Sequence, residues 1–176
     1  MRRTPGTIKT GATQRYVALA LILLWTAAVP GPTQAGGWDD YKPAKLTASI
    51  AKYELEFKGT ETPQEASRID ILPGDPLRVT VRYLGKMRDI KTERRSFIIE
   101  MWGKAFGKDP DMLARTFQKE IQVQDSQKTY WLPIQNVLIS HLKKEVAANG
   151  PVTLWVVFIG GLERNWVFLI NEFQAP

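Results

Sequence analysis

The chain predicts a mainly β domain: an antiparallel β-sandwich of immunoglobulin-like or transthyretin-like style, with one short helix between its late strands. Three observations point there. Segments with two-residue apolar alternation recur from Lys45 to Phe173, turn clusters separate them, and regular helical patterns are scarce between them. The cleanest segment is Leu77 to Tyr83, with Leu77, Val79, Val81 and Tyr83 on one face and Arg78, Thr80 and Arg82 on the other.

The elements are preceded by a leader. Arg2, Arg3, Lys9 and Arg15 form a basic start with no acid, an apolar run extends from Val17 to Val29, and Thr33-Gln34-Ala35 supplies small residues at a cleavage site. The organisation expected is a signal peptide over 1–35, cleaved near Ala35, and one domain over 36–176. A spanning anchor needs about 18 or more apolar residues, and Pro30-Gly31-Pro32 stops the run short. Arg2-Arg3 lies too far from the apolar run for twin-arginine export, so the Sec route to the periplasm or the medium is expected.

Four of the 24 bases and none of the 18 acids sit in that leader, which leaves the remainder at +2. So small an excess argues against a nucleic-acid partner. The chain has no cysteine, so no disulfide supports the fold in a compartment that would permit one, and the core must supply the stability.

Within the domain, Lys45 to Phe57 changes phase near Ile50 and Ala51, which predicts a strand with a bulge. Pro73-Gly74-Asp75-Pro76 is a turn that introduces Leu77 to Tyr83. Further strands are expected at Ser67–Leu72, Ser96–Trp102, Phe117–Val123, Lys128–Leu132, Val152–Ile159 and Arg164–Phe173. Two segments read as helical. Asp109-Pro110-Asp111 has the chemistry of a helix start, and Leu138, Leu142 and Val146 recur at i+4 within Ile134–Ala148 before Asn149-Gly150-Pro151 ends the pattern.

Catalytic chemistry is poorly supplied. His141 is the only histidine, no Gly-x-Ser-x-Gly turn offers a nucleophile, and the acid pairs Glu54/Glu56 and Asp109/Asp111 read as exposed or capping groups. His141 itself falls on the margin of a helical apolar stripe and reads as a partly buried structural residue. Neither a cofactor nor a transition-metal site is called for. The expectation is a non-enzymatic protein.

Two features point to binding. Lys86, Arg88, Lys91, Arg94 and Arg95 face only Asp89 and Glu93 in an expected loop between two strands, a local charge of +3 suited to an anionic polymer, a lipid surface or a partner protein. The terminal hairpin is apolar on both faces, with Trp155, Trp166 and Phe168 as the candidate contact aromatics, so something must cover its second face. The expected cover is the segment Ile134–Ala148, with a partner or a second copy as the alternative. The function expected is therefore an accessory or binding protein of the cell envelope, most simply with a protein partner. A carbohydrate-binding module using Trp38, Trp102, Trp131, Trp155 and Trp166 is the second reading, and a carboxylate hydrolase the third.

Overall fold

A computed structural model describes residues 40–57, 68–70, 76–162 and 165–176, with backbone alone over 68–70; the leader expected over 1–35 lies outside the described residues. The fold is mainly β, and the seven strands among the described residues belong to one mixed sheet. The longest described strand, β3 (Pro76–Asp89), has three partners. Pro76 to Arg82 pair antiparallel with β6 (Pro151–Leu162), and Arg82 to Asp89 pair antiparallel with β4 (Phe117–Asp125). From β4 the ladder passes antiparallel to β5 (Lys128–Gln135), which meets β7 (Asn165–Gln174) in parallel at Ile134 and Ile170. Strand β7 then returns antiparallel to β6, so the order β3-β4-β5-β7-β6 closes on β3 as a five-stranded barrel. Short β1 (Lys42–Ala44) runs parallel to the start of β3, and β2 (Arg68–Asp70) runs antiparallel to the end of β6.

This corrects the expected antiparallel sandwich. Instead of two stacked sheets there is a single one, with parallel junctions at β1/β3 and β5/β7. The reason lies at Gly85. Its φ is +74°, and a Cβ there would stand 2.7 Å from the Ala148 Cβ, so only glycine lets the strand bend without strain or collision. The register shifts between Tyr83 and Met87, and β3 bends from β6 across to β4 instead of ending at Tyr83.

Among the described residues four helices accompany the barrel, where two helical segments were expected, one of them between the late strands. Helix α1 (Leu46–Glu56) occupies the segment read as a bulged strand: Leu46, Ile50 and Tyr53 are its buried positions, a helical spacing hidden in an apparent alternation. Helix α2 (Thr92–Phe106) replaces the strand expected at Ser96–Trp102 and buries Phe97, Ile98, Met101 and Trp102. It ends at Gly107, whose φ of 61° is the left-handed cap conformation. Helix α3 (Pro110–Thr116) starts as the sequence predicts, with the Asp109 carboxylate accepting from Asp111 N–H at 2.9 Å and Pro110 in the first turn. Helix α4 (Asn136–Glu145) lies within the expected segment.

Two cores result. The first fills the barrel with Val79, Val81, Ile121, Val123, Leu132, Leu154, Val156, Phe158 and Phe168, and includes Leu142 and Val146 of the α4 segment as well as the buried face of α1. Tyr53 of α1 stacks on Phe158 with ring centroids 3.8 Å apart. No side chain of α1 caps its own N-terminus; Asp125 does so from the end of β4, accepting from Thr47 N–H at 2.7 Å. The second core lies outside the barrel. There Val157, Ile159, Val167 and Leu169 of the terminal hairpin meet Phe97, Ile98 and Met101 of α2 and Leu113 of α3. The second face of the hairpin is therefore covered within the chain, and by α2 and α3 rather than by Ile134–Ala148, whose helix belongs to the first core.

Candidate functional site

Where β3 ends and α2 begins, the basic segment is not a loop. Lys86, Arg88 and Asp89 still belong to β3, Ile90 is buried, and Thr92 already starts α2. Strand and helix send the five bases in different directions. Lys86 stays exposed on the strand, and the guanidinium of Arg95 turns to α3, where its Nη2 donates to the carbonyl of Ala114. Arg88, Lys91 and Arg94 converge on one cleft.

The base of that cleft is Glu120. Ladder register sets it opposite Arg88, on the face of β4 that points out of the barrel, and the start of α2 folds back over it until no part of its side chain is exposed. Arg88 Nε donates to Glu120 Oε1 at 2.5 Å, and Arg94 Nε lies 3.5 Å from Oε2, an ion pair that falls short of a hydrogen bond. Arg94 Nη2 also donates to the carbonyl of Trp131 at 3.0 Å. Burial pushes the Arg94 guanidinium below its usual pKa, Glu120 pulls it back up, and Arg88 lowers it again. Arg88 is 45% exposed, and its guanidinium carbon sits 4.0 Å from the centroid of the Trp131 ring, a cation–π contact that fixes the head of a long side chain.

One carboxylate cannot neutralise two guanidinium groups, so this triad, with its carboxylate buried and Arg88 half-exposed, carries a surplus positive charge. Two adjoining hollows use it. One, of about 170 Å³, is lined by Arg88, Arg94, Lys91, Glu93, Glu120 and Asn165. The other, of about 190 Å³, is lined by the same two arginines together with Tyr130, Trp131, Asn165, Trp166 and Glu54. The second lies where β5 and β7 part company: below Ile134 and Ile170, their single paired position, the residues Thr129 to Leu132 face Asn165 and Trp166 across it. Each hollow admits a group the size of a carboxylate, a phosphate or one sugar ring, smaller than the roughly 300 to 1,000 Å³ that drug-sized ligands fill.

Of the aromatics singled out in the terminal hairpin, Trp166 lines the second hollow and packs against Tyr53 and Phe57 of the α1 segment. Trp155 is half-buried against the second core, on the other side of β6. Phe168 is fully buried inside the barrel and offers no surface to a partner. Sequence reasoning missed Glu120 and Asn165. In strand alternation Glu120 reads as a solvent-facing residue, and only the return of α2 over β4 buries it. His141, expected to be partly buried, stands exposed on α4 with its Nδ1 3.4 Å from Glu145. Among the described residues no group of three or more His, Cys, Asp or Glu is gathered to hold a metal ion, and no helix is long and apolar enough to cross a membrane.

Compared with family models, with curated proteins and with solved structures, the chain finds no match.

Proposed function

We propose that this is an exported, non-enzymatic binding module of the cell envelope, and that it takes an anionic group of its partner in the cleft of Arg88, Lys91 and Arg94. The observation that carries the reading is the triad around the buried Glu120, which holds two arginines in fixed positions against Trp131 while leaving them one charge in excess. A guanidinium already oriented by an internal carboxylate loses little freedom when a second anion arrives, and its planar fork suits carboxylate or phosphate. Export rests on the basic and apolar leader of the sequence.

The barrel path supports the same surface. It resembles, in strand order alone, the partly open five-stranded Greek-key barrel of the OB-fold, which uses the face of its second and third strands and the flanking loops for ligands. Here β4 and β5 are the second and third barrel strands, and both line the cleft.

The test is removal of charge at the two accessible bases. Arg88→Gln with Lys91→Glu, which sets no second carboxylate against the buried Glu120, should weaken retention on an immobilised anionic polymer by tenfold or more, and wild-type retention should fall as salt rises past about 0.15 M. Unchanged retention at every salt concentration would remove the cleft from consideration. Arg94 and Arg95 are poor choices for this test because Arg94 is only 14% exposed and Arg95 is bonded to Ala114.

A further inference from the structure

The two hollows differ in chemistry, and the difference narrows the ligand. This step rests on the anion-binding reading above. The first hollow is a charged slot, in which Arg88, Arg94 and Lys91 meet the carboxylates of Glu93 and Glu120. The second is an aromatic recess whose polar groups are Glu54, Asn165, Thr129 and the same arginines. Taken together the lining holds three bases, Arg88, Lys91 and Arg94, and three acids, Glu54, Glu93 and Glu120.

That balance disfavours a dense polyphosphate. A nucleic acid or polyphosphate gains its affinity by neutralising many charges, and a lining with one surplus charge at the triad, where Glu54 and Glu93 around it outnumber Lys91, in a domain of only +2, offers no such gain. An anionic lipid surface is disfavoured for the same reason and because the charges sit in a recess rather than on a convex face. A ligand with one carboxylate and several hydroxyls fits better. Its carboxylate takes the surplus charge of the triad, its hydroxyls donate to Glu54 and Glu93 and accept from Asn165 and Lys91, and the apolar face of its ring lies on Trp131, Tyr130 or Trp166. Among the described residues the terminal nitrogens of Arg88 make no hydrogen bond, so they are placed to receive that carboxylate while Nε holds Glu120.

We infer that the cleft recognises an acidic saccharide, a sugar unit carrying a carboxylate, with the charged group in the Arg88–Arg94 slot and the ring in the Trp131–Trp166 recess. The spacing follows from the shared wall: Arg88, Arg94 and Asn165 line both hollows, so one sugar unit reaches each. A longer polymer would continue along the parting of β5 and β7.

The test is titration calorimetry of the full chain with four probes: a uronic-acid oligosaccharide, its carboxyl-reduced neutral counterpart and linear polyphosphate, these three of matched length, and vesicles containing anionic lipid. The expected result is binding of the uronate, at least tenfold weaker binding of the neutral sugar, and no binding of polyphosphate or vesicles beyond that of a non-basic control protein. Asn165→Ala, an exposed position, and Trp131→Phe, which keeps an aromatic ring, should each weaken the uronate by about threefold or more. Tryptophan emission should shift on adding the uronate, and less so in Trp131→Phe. Equal or tighter binding of polyphosphate or vesicles would overturn the saccharide assignment while leaving the anion-binding reading intact. Failure of every anion to bind would overturn both, and equal binding of the neutral sugar would show that the arginine slot takes no part.

Discussion

Removing the Glu120 carboxylate leaves Arg88 and Arg94 facing each other without a counter-charge, and Arg94 is nearly buried. Glu120→Ala should therefore destabilise the fold by about 3 to 5 kcal/mol, reduced somewhat by water reaching the half-exposed Arg88. Glu120→Gln keeps one acceptor oxygen for Arg88 and should cost less, a difference that chemical denaturation reads directly. Tyr83 gives a residue-scale pH dependence. Burial raises its phenol pKa above the ordinary 10, so the folded state holds the proton more tightly than the unfolded chain. Its stabilising contribution is complete below pH 10 and is lost as pH rises through the folded value. Tyr83→Phe should remove that part of the alkaline loss, measured as a shallower fall of thermal stability above pH 10. A parallel decline in both proteins would show that Tyr83 does not contribute.

The elements that sequence reasoning located are those whose burial repeats at a fixed period. Leu77 to Tyr83, Phe117 to Val123 and Val152 to Ile159 lie within β3, β4 and β6, and the Asp109 cap and the i+4 stripe of α4 are where their residues put them. Helix α1 was misread because Leu46, Ile50, Tyr53 and Phe57 satisfy a helical spacing while their neighbours Ala48, Ala51 and Leu55 complete an alternation; Leu55, which the strand reading would bury, is 73% exposed. Helix α2 was misread because Phe97, Ile98, Met101 and Trp102 form a short dense apolar run of the kind a buried strand also shows. The bend at Gly85 and the parallel meeting of β5 with β7 depend on contacts between distant segments, which periodicity does not encode. The cleft shares that dependence: its bases were legible as a charge run, whereas Glu120 and the recess beside Trp166 exist only once α2 and β7 are in place. Gly85→Ala should destabilise by about 1 to 3 kcal/mol, since it adds strain at a positive φ and a clash with Ala148 at the point where β3 changes partner. Asp125→Ala should cost about 1 kcal/mol by uncapping α1 from across the barrel, and a Lys45→Ser replacement, which offers a local cap, should recover part of it.

For the molecule as a whole, the barrel and the α2–α3 layer are two cores on opposite sides of the same two strands, β6 and β7. The barrel core is closed by its own ladder, α1 and α4, but the outer core exists only while α2 stays on the hairpin. Placing a charge there separates the two. Ile98→Asp puts a carboxylate at a fully buried position among Val157, Ile159, Val167 and Leu169, and should cost several kcal/mol in thermal unfolding. Leu142→Asp should cost as much, through the barrel core. The two variants differ in what they uncover. Dislodging α2 bares the apolar outer face of the hairpin, so Ile98→Asp should gain binding of a hydrophobic dye and sediment as larger species than the wild type at the same concentration. It should also lose ligand binding at the cleft, because Arg94 is carried on the same helix. Leu142→Asp should lose stability without that self-association below its melting temperature. If Ile98→Asp sedimented as the wild type does and stayed dye-silent while fully folded, α2 would not be the cover of the hairpin, and the second face would have to be buried against a partner chain.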